Sequence, residues 1–130
     1  MNRLSESITY KKYDETEQFN IGDLVSFFPN KDVVIKSCTR HYKHQDKLVV
    51  GICIESTAKT VTVVSKGMVD VNVTGLICLG DKLTTSNIDG KARAVKYAND
   101  DVRIFDIRPI GKVVGLYNDY SKAKVLLDIE

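Results

Sequence analysis

The residues best suited to chemistry lie in one short segment, Cys38-Thr-Arg-His41-Tyr-Lys-His44. A thiol and two imidazoles, each separated from the next by two residues, are donors that zinc accepts. The spacing matches no established zinc motif and no fourth ligand stands nearby, so the segment reads as a polar loop between strands. No metal is expected. The surrounding stretch carries Lys36, Arg40, Lys43 and Lys47 around Tyr42, a set able to touch phosphate or an acidic surface. A formal net charge of only +2 favours a solvated loop and argues against nucleic acid as a partner.

Nucleophilic chemistry has less to build on. There is no nucleophile elbow, Walker-type loop or dinucleotide fingerprint, so neither catalytic nor cofactor-binding residues are expected, and the chain does not read as an enzyme. Cys53 and Cys78 lie within apolar runs and read as small buried hydrophobes. Three cysteines are too few and too scattered for a disulfide framework, and an odd count fits a reducing compartment.

A third group is defined by backbone chemistry. Gly22-Asp23, Gly80-Asp81 and Asp89-Gly90 flank short apolar runs. Glycine supplies the positive φ of a tight turn and aspartate bonds nearby backbone amides. Gly22, Asp23, Gly80, Asp81, Asp89 and Gly90 are therefore expected to be structural turn residues, with Asp89-Gly90 as a hairpin turn.

The elements that must position these residues are strands. The 130-residue chain, 43% hydrophobic and 28% charged, has the size and composition of one globular domain. No apolar run is long enough for a membrane span, no membrane role is expected, and the N-terminal stretch lacks a signal peptide's apolar segment. Alternation with period two recurs: Val69, Val71 and Val73 against Asp70, Asn72 and Thr74, and the inward set Ala123, Val125, Leu127 and Ile129. Thr60–Val64 and Asp101–Phe105 read similarly, and Leu48–Ile54 reads as a strand buried on both sides. Gly and Asp turn signals between the runs predict an all-β, compact barrel-like or sandwich domain of short antiparallel strands.

An internal echo strengthens this reading. Ile21-Gly-Asp-Leu-Val25 resembles Leu79-Gly-Asp-Lys-Leu83, and Lys47-Leu-Val-Val-Gly-Ile52 resembles Lys112-Val-Val-Gly-Leu116. Two related β-units around a pseudo-twofold are expected. Residues 19–130 form the domain in this reading, and residues 1–18 form an extended N-terminal arm. Leu4, Ile8, Tyr10 and Tyr13 on the arm are the expected partner contacts, by strand addition or tyrosine packing. Leu126, which points away from its strand's inward set, joins them.

The stretches "FNIGDLVSF", "KLVVGICIES", "GMVDVNVTGLICLGDKLTTSNIDGKARAV" and "IGKVVGLYNDYSKAKVLLDI" together resemble small all-β phage virion proteins. One similar group is the capsid decoration, or cement, proteins of tailed phages; another is the C-terminal assembly domain of tail fibres and neck appendages. The resemblance spans about residues 18–129 and rests mostly on turn and strand residues. It implies a virion structural protein, made in the host cytoplasm, that binds and stabilises a capsid or another virion protein, as a homo-oligomer with a trimer favoured. The tail-fibre or baseplate alternative implies a trimeric component of a longer assembly. No self-cleavage residues map onto this chain, and its start at Met1 just before the domain fits the decoration group better. An autoproteolytic or metal-dependent hydrolase and a nucleic-acid binder using Lys36–Lys47 are lower alternatives.

Overall fold

Alternation of apolar and polar side chains does what period-two patterning requires. In the last strand, Ala123, Val125 and Leu127 are buried while Lys122, Lys124, Leu126 and Asp128 face solvent. A computed structural model describes residues 7–42, 44–97 and 107–129. Its strands are β1 (Ile8–Lys11), β2 (Leu24–Phe27), β3 (Val34–Lys36), β4 (Val49–Ser56), β5 (Thr60–Val64), β6 (Lys66–Asn72), β7 (Lys82–Thr85), β8 (Ala92–Ala94), β9 (Gly111–Leu116) and β10 (Lys122–Asp128). Short 3-10 segments, Gln45–Leu48 and Val95–Tyr97, are the helical structure among the described residues. The fold is all-β, as expected.

The strands form two five-stranded antiparallel sheets, ordered β1-β5-β4-β2-β3 and β6-β10-β9-β7-β8. Subtracting five from each label of the second order gives the first. The chain is thus a tandem repeat of one five-stranded unit. Neither sheet closes into a barrel, and the two pack in a sandwich-like arrangement. In each unit a single parallel bridge links the residue after the first strand to the third strand, Lys12 to Val34 and Val73 to Ala92.

The repeat extends to individual hydrogen bonds. Gly22 N–H donates to Cys53 O at 2.9 Å and Cys53 N–H to Asp23 O at 2.9 Å. Gly80 N–H donates to Val113 O at 2.8 Å and Val113 N–H to Asp81 O at 2.9 Å. Asp23 Oδ2 accepts from Asn20 N–H and Asp81 Oδ2 from Cys78 N–H, both at 2.9 Å. Gly22 and Gly80 hold φ of 96° and 85°, a conformation that disfavours any side chain. Four of the six expected turn residues therefore make two copies of one turn.

This register corrects the echo read from the sequence. Gly51 pairs with Val25 and Gly111 with Leu83, so Gly111, four residues before Gly115, is the counterpart of Gly51. A β-bulge follows each, with Ile54 and Val114 as the extra residue. Both glycines are needed because β4 and β9 cross their neighbours closely. A methyl group on Gly51 would lie 2.5 Å from Val64 O, and one on Gly111 would run into Leu126 O.

The two units do not pack about a twofold. Leu24, Ile52 and Val64 of the first unit are at most 1% exposed, sharing one core with Val71, Val73, Leu83, Val113 and Val125. Their counterparts in the second unit are Lys82, Lys112 and Leu126, all exposed. Equivalent faces meet different surroundings, so the contact between units is heterologous. A second cluster, Phe19, Val25, Val34, Cys53, Val61 and Val63, fills the first unit alone.

The division between an arm over 1–18 and a domain over 19–130 is redrawn by the pairing. Ile8–Lys11 is a strand of this chain's own first sheet, with Ile8 opposite Val63 and Tyr10 opposite Val61. Lys12 is 7% exposed, donating to Glu17 O at 3.1 Å. The expected strand at Asp101–Phe105 lies outside the described residues.

Replacing Gly51 or Gly111 by alanine is expected to cost about 2–3 kcal/mol through over-packing. Gly115→Ala meets only the Lys124 side chain and is expected to cost less than about 1 kcal/mol. Urea unfolding of the three variants measures this. A Gly115→Ala loss as large as that of Gly51→Ala would overturn the repeat register.

Candidate functional site

Three polar groups converge where the loop after β3 meets the turn between β7 and β8. Ser86 shapes that turn: its hydroxyl donates to Lys91 O at 2.6 Å and accepts from Ile88 N–H at 3.1 Å. The turn is then laced to the first unit. Gly90 N–H donates to Ser37 O at 2.9 Å and Thr39 N–H to Ser86 O at 3.0 Å, while Ser37 and Thr85 hydroxyls share a 2.8 Å bond. These bonds carry Cys38 to the bottom of the seam, where it is fully buried and free. His41 N–H donates to Cys38 O at 3.1 Å, folding the chain back over the thiol.

The result places Cys38 Sγ, a His41 ring nitrogen and an Asp89 carboxylate oxygen within 4.8 Å of one another. His41 Nε2 lies 3.4 Å from Asp89 Oδ1. Arg40 reaches into the same group, its Nε donating to Cys38 Sγ at 3.3 Å and its Nη2 to Asp89 Oδ1 at 2.9 Å. Burial opposes ionisation of Asp89, but hydrogen bonds from Arg40 and Cys38 and the charges of Arg40 and His41 outweigh it. The Asp89 carboxyl is therefore held below the usual carboxylate range. Glu17, next to the group, accepts from Lys36 N–H at 3.3 Å, and burial pushes its carboxyl up despite that bond and the Lys36 charge.

Cys38 and His41 of the expected polar segment are thus brought together, whereas His44 is not part of the cluster; its ring lies edge-on to Tyr42 at 5.9 Å. Asp89 was missed. Read with Gly90 as a turn pair, it gave no signal of facing residues 49 positions earlier in the chain. Gly90 keeps the turn role, with φ of 75°, but the turn runs from Ser86 to Lys91, longer than a two-residue hairpin turn. Two residues of the basic stretch are paired: Lys36 lies 3.5 Å from Asp23 and Arg40 2.9 Å from Asp89. Lys47 is exposed, and Lys43 lies outside the described residues.

The expected contact residues are scattered. Leu4 lies outside the described residues. Ile8 is 53% exposed on β1; Tyr10 packs edge-on to Phe27 at 5.3 Å and Tyr13 stacks on Phe28 at 4.1 Å. Each tyrosine thus has an aromatic partner inside this chain, while Tyr13 stays 50% exposed. Leu126 is exposed on β10, opposite Met68 and Lys112. Cys53 is buried as expected, and burial followed by the nearby Asp23 charge raises its thiol pKa. Cys78 is exposed instead, because it occupies the turn before Gly80 while Ile77 packs on the core.

A surface not singled out by the sequence lies at the far side of the second unit. Gly75, Leu76, Ile77, Leu116, Tyr117, Tyr120 and Lys122 line a cavity of about 350 Å³. Tyr120 is 88% exposed and Leu76 65%. Tyr117 is fixed by its hydroxyl, which donates to Asp70 Oδ1 at 2.5 Å. The first unit has Ser56 and Lys59 where the second has Leu116 and Ser121. The apolar side chain at Leu116 is particular to one copy of the repeat.

Against this geometry, the chain matches no protein family, no curated protein and no solved structure. Among the described residues no helix is long and apolar enough to cross a membrane.

Glu17 gives a pH prediction. Its raised carboxyl pKa means the folded state disfavours the charged form, so ionised Glu17 subtracts stability at neutral pH. Glu17→Gln is expected to melt above the parent at pH 7, by under about 1 kcal/mol because the group is partly solvated. The gain shrinks as pH falls through the raised pKa and vanishes below the ordinary value of 4.5. Melting curves from pH 8 to pH 4 check it, and a gain independent of pH would refute the burial cause.

Proposed function

We propose that this protein is a structural component that binds another protein without turnover, and most specifically a capsid decoration protein of a phage particle. The observation that carries the docking part is the Leu76, Leu116, Tyr117 and Tyr120 surface. Large apolar side chains grouped around a concavity on one face mark interaction sites, and tyrosine offers wide contact area with a polar tip. Packing within the chain gives Tyr120 no reason to be aromatic. The virion part rests on the resemblance of the Gly-Asp turn and strand stretches to phage decoration proteins. A decoration protein needs a rigid β-scaffold presenting such a surface in many copies, since weak contacts on a symmetric lattice gain by avidity.

The test starts from the particle. Mass spectrometry of purified virions from the source lysate is expected to find the chain, and added protein is expected to co-sediment with shells lacking it. Leu76→Asp and Tyr120→Asp each sit on exposed positions and are expected to change unfolding stability by less than about 0.5 kcal/mol. Each is expected to weaken co-sedimentation at least about tenfold, the scale of an interface hot spot. Shells that bind both variants as tightly as the parent would overturn the surface. A chain found in virions on the tails and not on the shells, and as a free trimer in solution, would favour a tail-type assembly instead.

A further inference from the structure

We propose that Cys38, His41 and Asp89 form a binding site for a divalent transition metal of the zinc type. The inference stands apart from the docking role. A thiolate, an imidazole and a carboxylate are a donor set zinc accepts, with water completing four-coordination. Four-coordinate zinc with these ligands sets donor atoms roughly 3.3–3.8 Å apart. His41 Nε2 and Asp89 Oδ1 stand at 3.4 Å already, and all three donors fall within 4.8 Å. Cys38 is fixed at the base of the seam, while His41 and Asp89 side chains are 40% and 41% exposed. A metal thus has a rigid soft ligand below and two adjustable ligands on an open side.

The ligands also come from both units, Cys38 and His41 following β3 and Asp89 preceding β8. A bound ion would tie the same seam that the Ser37–Gly90 and Thr39–Ser86 hydrogen bonds close. Arg40 holds the place of a cation there, donating to both Cys38 Sγ and Asp89. Its side chain is 63% exposed, so it can swing into solvent when an ion takes its two acceptors.

Cobalt(II) titration tests this, in protein carrying Cys78→Ser to remove the exposed thiol and kept reduced with a phosphine. One Co²⁺ per chain is expected, with a thiolate charge-transfer band in the near ultraviolet and visible bands of four-coordinate geometry, both abolished by one equivalent of Zn²⁺. Cys38→Ser is expected to remove the charge-transfer band. His41→Ala and Asp89→Asn, at exposed positions that leave folding intact, are expected to weaken binding at least about tenfold each; His44→Ala is expected to leave it unchanged. Arg40→Ala is expected to tighten binding, because the competing guanidinium is gone. No thiolate band at millimolar Co²⁺, a band surviving Cys38→Ser, or equal losses in His41→Ala and His44→Ala would each overturn the site. Weaker or unchanged binding in Arg40→Ala would overturn the exchange of guanidinium for metal.

Discussion

A buried carboxylate holds the two units in one structure. Asp23 is 3% exposed and accepts from Asn20 N–H of its own turn and Asn72 Nδ2 of the other unit, both at 2.9 Å. Lys36 Nζ stands 3.5 Å away. Gly90 packs so closely that a methyl group there would lie 2.9 Å from the carboxyl carbon. A buried charge is tolerated only when its lone pairs are taken up this fully. Asn72 donates a further bond to Ile21 O at 3.1 Å and its backbone N–H bonds Gly22 O at 2.9 Å. The first unit's turn and the second unit's first strand are therefore one hydrogen-bonded body. Asp81, in the same turn of the second unit, instead pairs with the exposed Lys96 at 3.2 Å. One local motif serves as an inter-unit lock in one copy and as a plain turn in the other.

That difference decides where polar and apolar residues fall. Leu24 and Ile52 are apolar because the locked turn draws the second unit over them. Lys82 and Lys112 hold the same sheet positions and are charged, and among the described residues nothing covers them. Burying a leucine or isoleucine side chain contributes roughly 1.5–3 kcal/mol, so the covered face alone is a substantial part of the stability of a domain this size. Leu126, the counterpart of Val64, stays apolar on the open face opposite Met68.

Much of this was legible in the sequence, and the failures have physical causes. Period-two alternation identified β10 and β6 because each has one face on the core; Asn72, read as outward with Asp70, is instead buried at the lock. The Gly-Asp turns were legible because positive φ and backbone-bonding carboxylates are local requirements. The Val-Val-Gly echo was misregistered because two glycines, Gly111 and Gly115, stand close together, and only cross-strand packing shows which one has no room for a side chain. The N-terminal segment read as an arm because its polar residues form a strand at a sheet edge, where one side meets solvent. Asp89 was hidden by its neighbour: an aspartate before glycine fits a turn so well that a second role leaves no trace in the chain order. Tyr120 and Leu76 escaped notice because exposure is set by which unit covers which.

The repeat also separates what folding requires from what it does not. Features present in both units, such as the Gly-Asp turns, the glycine crossings, the bulges and the parallel bridges, belong to the scaffold, since each unit needs them to form. The departures need another reason. Asp23 against Asp81 is explained by the lock. The loop after β3 and the turn before β8 meet at the seam that the lock creates, and there Cys38, Arg40, His41 and Asp89 gather. The Leu76 and Tyr120 surface lies on the second unit, whose corresponding loops in the first unit are polar or anchored, as with Thr57 and Thr60 sharing a 2.7 Å hydroxyl bond. Exposed aromatic and aliphatic side chains add nothing to a fold that the other unit completes without them. What they add is surface that water covers poorly, and a partner protein would cover it better.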